Sequence, residues 1–174
     1  SLVGSEMCIR DSSYEDTDGT KRQKWESYST KKEATKRKAA VENEINNGTF
    51  IPPSSTTVRM FLVDFVELYG TKRWGLSAYT ANTGLIENYI NPLLGDQIVQ
   101  DVNRRTVDRF IQQLQKTPPV ETPYRHARTE FVTACTIEKI MKLMRCAFHQ
   151  AVRWDMIGKN PFDDAILPLS LIHI

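Results

Sequence analysis

Apolar residues recur at steps of three and four along most of the chain after Val58, the spacing that puts them on one face of a helix. Val58, Phe61, Leu62, Phe65 and Leu68 form the first such stripe, which begins at Thr57 and stops at Gly70. A second helix is expected to start near Ser77, to carry Leu85, Ile86, Tyr89 and Ile90, and to end before Asn91-Pro92, because proline interrupts a helical ladder. After a short connection, Asn103 or a neighbour is placed to cap a third helix with Val107, Phe110, Ile111 and Leu114 inward. Prolines break the pattern between Thr117 and Pro123, and a polar loop continues to about Val132. The fourth and longest helix is predicted over Cys135–Met156, with Ile137, Ile140, Met141, Met144, Phe148, Ala151 and Val152 inside. Residues 57–168 thus read as a compact four-helix domain.

A different pattern precedes the Pro52-Pro53 pair. Asp18-Gly19 is a hairpin-turn signal, and Lys21–Tyr28 alternates as a strand does. That alternation puts Lys21, Gln23, Trp25 and Ser27 on one face and Arg22, Lys24, Glu26 and Tyr28 on the other. Thr30 followed by Glu33 fits a capping box, so a helix is expected from Lys31 to about Asn47. Its inner stripe would be Ala34, Val41 and Ile45, with Gly48 as the residue that ends it. Residues 13–50 form this small module and residues 51–56 a stiff linker. The fold class is mainly α: a small basic β-hairpin or sheet plus helix, then the four-helix domain. Residues 1–12 and 169–174 have no relation to the patterns beside them and read as sequence artefacts, similar to translated adaptor strings.

Charge changes this picture more than composition does. The formal net charge is only +2 at pH 7. Within Thr20–Ala39, however, Lys21, Arg22, Lys24, Lys31, Lys32, Lys36, Arg37 and Lys38 face just Glu26 and Glu33, and the preceding residues are acidic. Such asymmetry points to a polyanionic partner. No run of eighteen apolar residues suits a membrane span, and no membrane partner is expected. Cys8, Cys135 and Cys146 fit neither a zinc module nor a disulfide framework and read as free thiols.

Catalytic patterns are absent: there is no phosphate-binding glycine loop, dinucleotide fingerprint or paired-histidine metal motif. His126, His149 and His173 have no acidic or thiol partner at a suggestive spacing, and Asp163-Asp164 reads as loop or cap chemistry with metal binding as the alternative. No catalytic residue, metal or cofactor is assigned. Three cationic surfaces are better marked. Lys21, Arg22 and Lys24 with Tyr28 lie on a ribbon of a size to enter a major groove. Lys72, Arg73, Ser77, Tyr79 and Asn82 surround a helix start, where N–H groups favour phosphate. The alternative there is that Ser77 merely caps the helix and Tyr79 packs. Lys139, Lys142, Arg145, His149 and Arg153 make a cationic face on the fourth helix. Each surface alone is equally well an ordinary solvated face; together they point to duplex DNA, since scattered phosphate contacts add up.

Two stretches carry a family resemblance. "YEDTDGTKRQKWESYSTKKEATKRKA" resembles the small N-terminal domain of phage-type and conjugative-transposon integrases. "LSAYTANTGLIENYINPLLGDQIVQDVNRRTVDRFIQQL" and "TIEKIMKLMRCAFHQAVRWDMIGKNPF" resemble their SAM-like core-binding domain. These proteins are tyrosine recombinases. The resemblance implies a three-stranded sheet on arm-type DNA sites and a four-helix domain on the core site, with the Ser77 and Cys135 helices towards the major groove. It implies that the catalytic tyrosine and its Arg/Lys/His set belong to a further domain after Pro168, so this chain is expected to bind DNA without cutting it. The parent is expected to assemble as a tetramer on DNA, in a bacterial or phage-encoded cytoplasmic setting close to the nucleoid, and to integrate or excise a mobile element. A transcriptional regulator without recombinase activity is the alternative, and a helical protein-interaction module is a third reading.

Overall fold

A computed structural model describes residues 8–15, 20–28, 30–48, 50–121 and 129–166. The chain is mainly helical and divides into two compact units, Ser1–Pro52 and Pro53–Ile174.

In the first unit, strands β1 (Cys8–Glu15) and β2 (Lys21–Tyr28) pair antiparallel, with Glu15 opposite Lys21 and Arg10 opposite Glu26. The Asp18-Gly19 turn lies outside the described residues, as do residues 1–7 of the leader, whereas Cys8–Ser12 are part of β1. Two strands, not the three that the resemblance implies, are seen among the described residues. Helix α1 (Lys31–Asn46) comes next; the Thr30 hydroxyl accepts from the Glu33 amide at 3.3 Å, and Gly48 takes the positive φ, 67°, that ends it. Ala34 and Val41 are buried, but Ile45, expected on the same inner stripe, is 38% exposed.

Among the described residues, four helices build the second unit. Helix α2 runs without a break through Val58–Phe65, a wider π turn at Val66–Gly70 and a last turn at Thr71–Arg73. The π turn corrects the sequence reading. An extra residue in the turn rotates the remainder of the helix about its axis, so Leu68 points out at 56% exposure and Tyr69 turns to the core side. Trp74 then folds its ring back over buried Gly70, where a β-carbon would meet ring atoms at 2.7 Å.

Helix α3 has the same construction: Leu76–Leu85, a π turn at Ile86–Ile90, and Asn91–Leu94. The start near Ser77 is as expected, but the alternative that Ser77 caps the helix and the expected stop both fail. The helix begins at Leu76 behind an extended Gly75, so Ser77 sits inside the first turn and does not cap it. It also does not stop before Asn91-Pro92. Pro92 occupies the opening of the segment after the π turn, a position where a missing N–H is tolerated. A single 3-10 turn, Val99–Asp101, leads to α4 (Arg104–Gln115), capped by Asn103 through the Thr106 amide at 3.1 Å. The helix buries Val107, Phe110, Ile111 and Leu114.

Helix α5 (Ala134–Arg153) starts behind Thr133, which accepts from the Thr136 amide. It ends three residues before the expected Met156, in a Schellman motif: Met156 N–H reaches Ala151 O at 3.0 Å and Asp155 N–H reaches Val152 O at 3.1 Å. The described core residues of this unit form a cluster in which Phe61 meets Phe148 edge-on at 5.8 Å and Phe162 lies 4.8 Å from Phe148. No helix among the described residues is long and apolar enough to cross a membrane.

Candidate nucleic-acid interface

One concave surface among the described residues belongs to α5. Its inner stripe is committed to the core, and helical spacing therefore brings Lys142, Arg145, His149 and Arg153 to one outer side. With Tyr69 of α2, Cys146 and Gln150 they line an open concavity of about 480 Å³. Four of its seven lining residues are cationic or become so on protonation, which makes it a place for anionic groups.

Each cation there is held differently. Lys142 Nζ pairs with Glu138 Oε1 at 2.7 Å one turn back, and that hydrogen bond, then the lysine's charge, holds the Glu138 carboxyl below its ordinary range. Arg145 Nε donates to the Phe162 carbonyl at 3.3 Å, which fixes the side chain beside the turn after α5. His149 Nε2 sits 2.8 Å from Asp163 Oδ1. Arg153 makes no ion pair among the described residues. Lys139 is exposed one turn nearer the helix start and does not line the concavity.

Tyr69 is among the residues that sequence reasoning missed. It receives a long hydrogen bond from the Cys146 thiol, Sγ to Oη 3.7 Å, across the α2–α5 seam. Contact with Cys146, first through that hydrogen bond and then through its charge, together with burial, holds the phenol proton above the ordinary 10.0, against Arg73 and Arg153. The hydroxyl is therefore neutral and able to donate. Its ring stacks on Phe65 at 5.1 Å, and the Arg73 guanidinium lies 5.6 Å from the ring centroid. Tyr69 so joins Arg73 to the α5 cations.

The second expected surface divides accordingly. Arg73 comes to the edge of the concavity through Tyr69, and Tyr79 reaches it indirectly, ring to ring through Trp74 at 6.5 Å on each side. Lys72 and Ser77 are exposed and Asn82 is half-buried; none of the three lines the concavity. On the first unit, Lys21 is exposed, while the side chains of Arg22, Lys24 and Tyr28 lie outside the described residues, as do His126 and His173.

Asp163 and Asp164 lie in a turn, in keeping with their loop reading, but Asp163 corrects the reading of His149. His149 does have an acidic partner, brought to it by the turn after α5, and Asp164 pairs with Arg104 and Lys159. No group of three or more potential metal ligands occurs among the described residues. The relevant signal lay in three-dimensional return of the chain, which residue spacing does not carry.

Comparison with known proteins adds a fold. No family model matches the sequence, and no curated protein matches it. Among solved structures, the solution structure of an integrase-like domain from Bacillus cereus is similar, with a TM-score of 0.55 and 21% sequence identity. The similarity covers 68% of this chain and 88% of that one. At that identity the likeness establishes an integrase-like helical fold.

Proposed function

We propose that this chain is the DNA-binding portion of a site-specific tyrosine recombinase, acting in integration and recombination of a mobile element. The observation that carries the reading is the convergence of Lys142, Arg145, His149 and Arg153 with the neutral Tyr69 hydroxyl on one concave surface of an integrase-like fold. A cationic hollow with hydrogen-bond donors suits backbone phosphates, which position a protein on a duplex without reading its sequence. Arg73 and Lys139, flanking the hollow on α2 and α5, extend the same positive surface along the strand. The basic first unit supplies a second grip, with Lys21, Arg22 and Lys24 on one strand. Cleavage is assigned to none of these residues. The parent recombinase, its tetramer and the arm and core sites belong to the same proposal.

Titration of the full chain against a mixed-sequence duplex at several salt concentrations tests it. Affinity should fall as salt rises, because each neutralised phosphate releases condensed counterions. Binding that is absent, or indifferent to salt, defeats the reading. Recombinase parentage is tested separately, by asking whether the gene continues into an Arg…His-x-x-Arg…Tyr pattern after Pro168.

A further inference from the structure

The turn after α5 folds back beside the cationic hollow, and its anchor is Asn160, a polar side chain only 2% exposed. Asn160 Nδ2 donates to Arg145 O at 3.0 Å and to Asp163 Oδ1 at 3.1 Å, while its Oδ1 accepts from the Phe162 amide at 2.9 Å. The Asp163 carboxylate is thereby fixed, and its Oδ1 meets His149 Nε2 at 2.8 Å. A carboxylate brings no proton to that contact, so the hydrogen belongs to Nε2. In the neutral imidazole the other nitrogen, Nδ1, then carries a lone pair. A phosphate oxygen arriving at Nδ1 meets lone pair with lone pair. One added proton turns Nδ1 into a donor and adds a positive charge.

We infer that Asp163, held by Asn160, is a positioning residue that commits His149 Nε2 and so makes DNA binding in the hollow take up a proton at Nδ1. The inference rests on the reading that this hollow meets DNA phosphates. Other groups around the imidazole act in both directions. Lys142, Arg145 and Arg153 of α5 oppose the added charge, Asp163 of the turn favours it, and Tyr69 of α2 and Cys146 present a hydroxyl and a thiol. An incoming phosphate adds negative charge and tips this balance towards the protonated ring.

The test is the affinity of the full chain for a mixed-sequence duplex at constant ionic strength, from about pH 5.5 to 8. Affinity should weaken as pH rises, approaching the one-proton limit of about tenfold per pH unit. His149→Gln should flatten that profile. Asp163→Ala frees the ring, so that a neutral imidazole can donate through either nitrogen, and the profile should become shallower. Asp163→Asn keeps an oxygen that accepts from both Asn160 and His149, and should restore the steepness. If Asp163 merely repels phosphate, the Ala and Asn variants tighten binding alike and keep the wild-type profile, which overturns the inference. Salt-sensitive binding with a flat wild-type profile overturns it as well, while leaving DNA binding intact. Loss of salt-sensitive binding altogether brings down the functional reading first. Circular dichroism melts accompany every variant; should Asp163→Ala unfold at the assay temperature, the comparison of wild type with His149→Gln decides the matter.

Discussion

Asp155 holds φ at 57° with a β-carbon in place, at the position after α5 where helices most often use glycine. The left-handed conformation costs a non-glycine residue about 1–2 kcal/mol, and aspartate is among the side chains that bear it best. Asp155→Gly is therefore expected to raise stability by about 1 kcal/mol in urea unfolding, since the Schellman hydrogen bonds are backbone bonds and survive the change. An unchanged or lower midpoint would mean that the carboxylate itself contributes something the geometry does not show. Gly70 is the opposite case. Alanine gains up to about 1 kcal/mol of helix propensity there. Its β-carbon, however, enters the space of the Trp74 ring, which Phe65, Tyr69 and Tyr79 hold in place. Overpacking costs about 1–3 kcal/mol, so Gly70→Ala should destabilise the fold on balance. Altered Trp74 fluorescence should accompany the loss, because it is that ring which must move.

Helix starts and stripes show which parts of an element are written locally. Thr57, Asn103 and Thr133 each accept a hydrogen bond from the amide three residues on. Asn103→Ala should cost about 1 kcal/mol of thermal or chemical stability, and Asn103→Ser should recover most of it. Equal losses in both variants would show that Asn103 matters through its other bond, from Nδ2 to the Asp101 carbonyl at 3.3 Å. Such caps are legible because they depend on a few adjacent residues, and the stripes of α4 and α5 are legible because those helices keep one period throughout. The stripe of α2 is legible only as far as Phe65. No residue type announces a π turn, so the exchange of Leu68 for Tyr69 on the inner side is decided by packing against α5 and Trp74. The same limit applies to the site. Steps of three and four marked Lys142, Arg145, His149 and Arg153 in advance, whereas Tyr69, Asn160 and Asp163 enter only when distant segments meet.

The small net charge of the whole chain conceals two separate cationic supplies, one in each compact unit. The buried members of the second unit's core cluster all lie between Val58 and Phe162, so residues 53–174 contain the apolar burial that their own helices need. A chain of those residues should keep its helical circular dichroism and a cooperative melt. Its affinity for duplex DNA should drop, and so should the steepness with which affinity falls as salt rises. Each cation that neutralises a phosphate contributes about 0.9 to that slope on a log–log scale, so the difference between the two chains counts the contacts made by the basic first unit. Within the shorter chain, Arg153→Ala should remove about one further unit of slope while leaving the melt unchanged, because Arg153 makes no ion pair among the described residues. Were the slopes of the full and shortened chains to coincide, the lysines and arginines of Thr20–Ala39 would be a solvated face, and the hollow on α5 would account for all of the binding.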